Sequence, residues 1–306
     1  MPSGRQEKFG ILPSLELLPF FDQPFMEAVG VEFVAQASYG SIAREMLVGN
    51  FVGGVLPWEI FVAEVLALPG QRNQWTVAFF SNPCPAELIL QPHIYKAICS
   101  DTAGSPRKIP ARLMIGIENR SSLTRQQFSE WLDTLQLSPR PEVVFRFLPM
   151  SQRLQGMPAD ALDGFIARSP WGMIAENQNL GNIVTDFSKE SVSQHLVTVC
   201  RKDASACARI CDLGAFGKLV AGRKNISDPS QFEAAAENMN ASGKPHTPVE
   251  FLKKAARLYE PSRQSRDALA DVEKITEELQ RLYKVSMLPP QVSPTEQTAR
   301  LISPAR

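Results

Sequence analysis

The sequence predicts an α/β protein of two lobes, each a doubly wound, mostly parallel sheet, with additional helices at the C-terminal end. Three observations predict it. Short apolar runs at 9–12, 31–35, 53–56 and 75–80 alternate with turns and amphipathic segments, as strands joined through helices do. The alternation resumes beyond a polar, Gly- and Pro-containing stretch at 100–108 and continues to about residue 185. The chain has 306 residues, twice the roughly 150 of a common domain.

The elements follow in order. Residues 9–12 form a strand, and 24–29 give one or two helical turns stopped by Gly30. A second strand at 31–35 leads to Ser38, a helix N-cap, and a helix to Val48 with Ile42, Met46 and Leu47 on one face. The very short strand 53–56 ends at Pro57, Trp58 and Glu59. The helix after it places Phe61, Val65 and Leu68 on one face, and Pro69 and Gly70 end it. Residues 75–80 make the fourth strand. Gly53 and Gly54 lack the rest of a phosphate-binding pattern and read as tight packing.

The second region begins with an apolar piece at 87–98, a strand or irregular. Strands follow at 111–117, 143–148, 165–167 and 181–185, with helices at 124–135, 158–162 and 171–177. Beyond residue 190 come a strand at 194–200, a helix at 203–219, and helices near 232–239, 249–258 and 266–283. Residues 285–306 hold four prolines and little periodicity, an extended tail. Trp75 and Trp131 sit inside periodic elements and read as core.

Composition excludes several classes. Lys plus Arg is 32 and Asp plus Glu is 32, so no broad basic surface exists and direct nucleic-acid binding is not expected. No run of 18 apolar residues is long enough to span a bilayer. The five cysteines, Cys84, Cys99, Cys200, Cys207 and Cys211, cannot all pair within one chain. They read as thiols of a reducing compartment, with Cys207 and Cys211 four apart on a helix as small buried residues. The apolar run near the N-terminus is broken by Pro13, Glu16 and Pro19, which suits a strand and its exit better than an export signal. As it stands the chain is expected in the cytoplasm, and in the periplasm if a signal peptide has been omitted.

No nucleophile elbow, P-loop, zinc-protease motif, dinucleotide fingerprint or C-x-x-C pair occurs, and no catalytic residue, metal or cofactor is expected. His93, His195 and His246 are scattered. The predicted strand exits instead carry hydroxyls, amides and indoles, which suit binding of a small polar or anionic ligand. The candidate binding residues are Ser14, Ser38, Trp58, Glu59, Ser81, Ser121, Ser122, Gln152, Arg168 and Trp171. Ser121, Ser122 and Thr124 open a helix, where they either meet ligand oxygens or cap the helix. Trp58 and Trp171 either wall a cleft or pack between lobes. Arg168 supplies positive charge or forms a surface ion pair.

Three stretches together resemble a known family. QASYGSIAREMLVGNFVGG (36–54) places a polar strand exit before a helix and a Gly-rich strand. LDGFIARSPWGMIAENQNLG (162–181) ends a strand in a Pro-Trp turn, and SVSQHLVTVCRKD (191–203) is a return strand. Their order is similar to that of the nitrate/bicarbonate-type solute-binding proteins of ABC transporters. These belong to the type II periplasmic-binding-protein superfamily, which includes sulfonate binders and NMT1/THI5-like thiamine-precursor binders. The resemblance implies two lobes, 1–82 with 190–306 and 83–189, joined by two crossovers and closing on a solute. It implies Trp58 as a cleft residue and matches Pro170 and Trp171 to the family's Pro-Trp. Arg168 and Ser169 stand where Gly-Glu is usual, which weakens metal-assisted bicarbonate binding and favours another anion or an acidic organic ligand.

The implied partners are the solute and either an ABC permease or, as in cytosolic nitrate sensors, a regulatory protein. Two other readings stay open. One is an enzyme of the same superfamily acting on a small metabolite, as pyrimidine-precursor and menaquinone-pathway relatives do. The other is a ligand-gated protein–protein module docking through Ile275, Leu279 and Leu282, a stripe that ordinary packing also explains.

Overall fold

The structure is a computed structural model. It describes residues 6–13, 20–71, 73–80, 86–99, 109–119, 124–168, 170–184, 196–211, 229–242, 248–250 and 252–253. The chain divides into two compact units, residues 1–83 with 195–306, and residues 84–194.

The first unit holds a five-stranded sheet. Its strands are β1 (Lys8–Ile11), β2 (Glu32–Ala35), β3 (Gly53–Pro57), β4 (Trp75–Phe80) and, from far along the chain, β10 (Leu196–Arg201), in the order β2-β1-β3-β10-β4. β1 is parallel to β2 and β3, whereas β10 runs antiparallel between β3 and β4. The parallel strands are joined through α1 (Gln23–Val29) and α2 (Tyr39–Leu47). α2 starts where the sequence places it. Ser38 Oγ accepts from the Ser41 amide at 3.0 Å, and Ser41 Oγ accepts from the Ser38 amide at 3.3 Å, a reciprocal cap. Its buried face is Tyr39, Ile42, Ala43 and Met46.

Glycines let this helix and β10 close onto β3. A Cβ on Gly53 would lie 2.3 Å from the Val199 carbonyl oxygen and 2.5 Å from Phe9 Cε2, and one on Gly54 would lie 2.5 Å from Ile42 Cγ2. The edge strand β2 is covered by a late helix, α9 (Pro229–Ser242). Ser242 Oγ accepts from the Ala35 amide at 3.2 Å, and Asn238 Nδ2 donates to the Phe21 carbonyl at 3.0 Å. Phe232, Ala235, Ala236 and Met239 are buried beneath it. An edge amide is thereby satisfied.

The second unit repeats the arrangement. Its strands are β5 (Glu87–Leu90), β6 (Arg112–Ile117), β7 (Glu142–Phe147), β8 (Gly164–Ala167) and β9 (Asn182–Ile183), in the order β7-β6-β8-β5-β9. β6 is parallel to β7 and β8, and β5 is antiparallel to β8 and β9. Its helices are α4 (Pro92–Cys99), α5 (Thr124–Thr134), α6 (Met150–Gly156) and α7 (Trp171–Asn177). Leu88, Ile94, Leu113, Ile115, Phe128, Trp131 and Ile166 form one core on a face of this sheet. Trp75 and Trp131 are buried, as expected.

Four local expectations change. The helix after β3 is α3 (Trp58–Ile60) running into a π-helix, Phe61–Leu66, in which the Ala67 amide bonds the Val62 carbonyl at 3.0 Å. The wider turn buries Leu66 and leaves Leu68 44% exposed, so the expected face of Phe61, Val65 and Leu68 does not persist. The apolar piece at 87–98 is β5 followed by α4. The helix expected at 158–162 lies earlier, as α6, because Gln91 Nε2 donates to the Met157 and Leu162 carbonyls, both at 2.7 Å, and holds that segment as a turn. The expected helix at 203–219 is α8 (Cys207–Cys211) within the described residues. Among these, no helix is long and apolar enough to cross a membrane. The tail at 285–306 and the stripe of Ile275, Leu279 and Leu282 lie outside the described residues.

Two outcomes follow from this packing. Gly53→Ala destabilises the chain by about 1–3 kcal/mol, because backbone as well as side chain must move, and a urea titration measures it. The second concerns Glu7, which ties the chain start to the turn after β10. Its carboxylate accepts from Ser205 N (2.9 Å), Ser205 Oγ (2.8 Å) and Ala206 N (2.9 Å). Partial burial pulls its pKa upward, but the Ser205 and Ala206 bonds and the Arg209 charge outweigh this and hold it below the ordinary 4.5. A carboxyl with a lowered folded value contributes stability above its unfolded value and loses it as pH falls through the folded one. Urea midpoints of the wild type therefore drop below about pH 4.5, and Glu7→Gln flattens that part of the profile.

Candidate functional site

In parallel sheets, binding groups gather where strands end at their carboxyl tips. In the first unit β2 leaves through Gln36 towards Ser38, and β3 leaves through Pro57 directly into Trp58 and Glu59. The returning β10 starts at that edge, with Leu196 opposite Pro57. Trp58 is 4% and Glu59 2% exposed, and the Trp58 ring lies 5.9 Å from that of Phe61. The structure thus brings Ser38, Trp58 and Glu59 to one edge of one sheet. Ser38 serves there as the cap of α2.

In the second unit β8 leaves through Arg168, which is 6% exposed, and the chain then enters α7 at Trp171, also 6% exposed. Glu87, at the start of β5 and opposite Ala167, accepts from the Gly172 amide at 3.2 Å. β7 leaves towards α6, whose Gln152 is exposed while its neighbour Arg153 is buried. Arg153 Nη1 donates to the Ile166 carbonyl, two residues before Arg168. Gln152, Arg168 and Trp171 therefore share one edge of the second sheet. The buried charged residue at this edge that the sequence reading misses is Arg153, since one arginine in the polar stretch MSQRLQG carries no signal distinguishing it from the solvated ones. Ser14, Ser81, Ser121 and Ser122 lie outside the described residues.

The chemistry available at these edges is charge in apolar surroundings. Burying an ion costs several kcal/mol unless partners offset it. A guanidinium presents planar, paired donors that match the oxygens of carboxylate or other oxyanions, and an indole excludes water beside it. His93 is exposed on α4, and His195 and His246 lie outside the described residues. A cavity of about 540 Å³ opens at the opposite edge of the first sheet, lined by Glu7, Lys8, Asn50, Val52 and Arg201 among others. Its charged groups are engaged locally: Lys8 with Glu32 at 3.4 Å, Arg201 with Asp203 at 2.5 Å, and Asn50 with Glu45 at 2.7 Å.

Residues 25–210, more than half of the sequence, match the NMT1-like family. The chain belongs to that family. No curated protein matches the sequence. Solved structures similar to this NMT1-like chain share its fold. The periplasmic nitrate-binding protein NrtA from Synechocystis PCC 6803 is 13% identical, with a TM-score of 0.69 over 98% of this chain and 86% of that one. The alkanesulfonate-binding protein SsuA from Xanthomonas axonopodis pv. citri, bound to MOPS, is 11% identical, with a TM-score of 0.68 over 97% and 99%. A zinc-bound ligand-binding component of an ABC-type import system from Staphylococcus aureus is 13% identical, with a TM-score of 0.65 over 93% and 94%. The NMT1-like chain thus has the type II periplasmic-binding-protein architecture.

The two neighbours on α6 are expected to behave differently. Arg153→Met leaves the buried Ile166 carbonyl without this donor and lowers stability by about 1–3 kcal/mol. Gln152→Ala stays within about 0.5 kcal/mol. Paired urea titrations separate them.

Proposed function

We propose that this chain is a non-catalytic binding protein for a small anionic or polar solute. The strand exits of its two units, with 1–82 plus 190–306 as one lobe and 83–189 as the other, close on that solute. The observation that carries the proposal is Arg168, a buried guanidinium at the exit of β8, followed at once by the buried indole of Trp171. The nitrate and alkanesulfonate named for two similar structures are oxyanions of the kind a guanidinium holds in paired hydrogen bonds. On this reading Arg168 and Arg153 supply the positive field, Trp58 and Trp171 exclude water, and Glu59 turns away from the anion or takes an amine of the solute. Binding shifts an open–closed population. The loaded protein then engages an ABC permease or a regulatory protein.

Native mass spectrometry of the purified chain, followed by thermal shift with nitrate, bicarbonate, methanesulfonate and MOPS, tests this. At a solute concentration of 100 times Kd the folded state gains about 2.7 kcal/mol, which raises Tm measurably. Arg168→Gln weakens that solute by about 30-fold or more while circular dichroism stays unchanged. Absence of any shift, or a shift that Arg168→Gln retains in full, overturns the reading. Conversion of a bound metabolite into product would replace it with the enzyme reading.

A further inference from the structure

We propose that Cys200 and Cys207 are a redox-active pair that closes to a disulfide, clipping α8 to β10. The inference is independent of the solute reading. The sequence reads all five cysteines as thiols, with Cys207 and Cys211 four apart on a helix, and the topology brings Cys207 to Cys200. Cys200 sits near the end of β10, fully buried between Gly53 of β3 and Thr76 of β4. The chain then turns back within six residues, and Cys207 opens α8 beside it. The Cys200 thiol donates to Cys207 Sγ at 3.3 Å.

The intervening turn is held from several sides. The Arg201 amide bonds the Val52 carbonyl at 2.7 Å, and the Lys202 amide bonds the Gln74 carbonyl at 2.8 Å. The Ala204 amide bonds the Arg201 carbonyl at 3.0 Å, and the Cys207 amide bonds the Ala204 carbonyl at 3.1 Å. Glu7 adds its three bonds to Ser205 and Ala206. Both sulfurs are thus positioned by backbone that is fixed for other reasons. A disulfide of about 2.05 Å needs only a local approach of the two side chains. Cys99, the other cysteine whose side chain is described, belongs to the second unit.

Accessibility sets the order of events. Cys207 is half-buried and Cys200 is buried, so Cys207 meets the oxidant. Its thiolate, having lost a proton to solvent, attacks one sulfur of a low-molecular-weight disulfide and releases one thiolate, which is protonated to a thiol. Cys200 then loses its proton and attacks Cys207 Sγ, releasing the second thiol. The net reaction is two protein thiols plus one external disulfide giving one protein disulfide and two external thiols.

Trypsin makes the test unambiguous, because Cys200, Cys207 and Cys211 fall in separate peptides, 190–201, 203–209 and 210–218. The full-length chain is incubated with glutathione disulfide, alkylated and digested without reduction. The expected result is a linked 190–201/203–209 species, loss of two titratable thiols, and a Tm rise of about 2–8 °C that dithiothreitol reverses. Cys207→Ser, a change at the less buried position, folds and abolishes both the link and the Tm rise. Cys99→Ser keeps both. The proposal is overturned when both peptides remain alkylated, when either cysteine links to Cys84, Cys99 or Cys211, or when Cys207→Ser gains the same Tm.

Discussion

The backbone of β3 lies so close to its surroundings that no side chain fits at Gly53 or Gly54: the Val199 carbonyl, the Phe9 ring and Ile42 occupy the space. This contact sets the first sheet. It fixes β10 against β3 in the register that places Leu196 opposite Pro57 and Cys200 opposite Gly53. It seats α2 above the sheet, and α2 in turn needs the Ser38 cap to begin where it does. A strand with two consecutive glycines is weak by propensity. Its stability comes from being sandwiched, and Trp58 and Glu59 follow directly at its far end.

The second sheet solves the same problem with different parts. In both sheets three parallel strands are followed by an antiparallel one, β10 in the first and β5 in the second, and then by an outer strand. The antiparallel strand begins at the edge where its neighbours end. Glu87 therefore lies beside the exit of β8, just as Leu196 lies beside the exit of β3. The exit edge of the first sheet carries the buried carboxylate of Glu59, and that of the second carries the buried Arg168, with Arg153 and the Glu87 carboxylate near it.

The sequence made the alternating architecture readable because short strands and amphipathic helices differ in period, and Ser38 was readable because capping is local. What escaped it depends on distant atoms. α6 was missed because only Met150 and Leu154 are apolar in its stretch, and its neighbouring turn was misread because Gln91, some seventy residues earlier, holds it through the Met157 and Leu162 carbonyls. The π-helix rests on one extra residue per turn, which periodicity over six positions does not resolve. Nothing in the sequence singles out Arg153 beside Gln152, because composition does not tell which of two adjacent polar residues turns inward. The approach of Cys200 to Cys207 is hidden for the same reason: spacing shows only Cys207 and Cys211 four apart, whereas the return of the chain onto β10 brings up Cys200.

The exchange of Gly-Glu for Arg168 and Ser169 acquires a physical meaning in this frame. An acidic group is still present beside the first turn of α7, but it comes from β5: Glu87 spends one carboxylate oxygen on the Gly172 amide. A carboxylate engaged in holding backbone is poorly placed to meet a solute cation, and the side chain that leaves β8 is now a guanidinium. The charged side chain that leaves β8 is thus opposite in sign to the one in the pattern the chain resembles. On the proposed reading, a solute site at this exit accepts anions by pairing and disfavours cations by repulsion, an effect that apolar surroundings strengthen. On that reading, residue 168 sets the sign of charge in the solute that the proposed site admits.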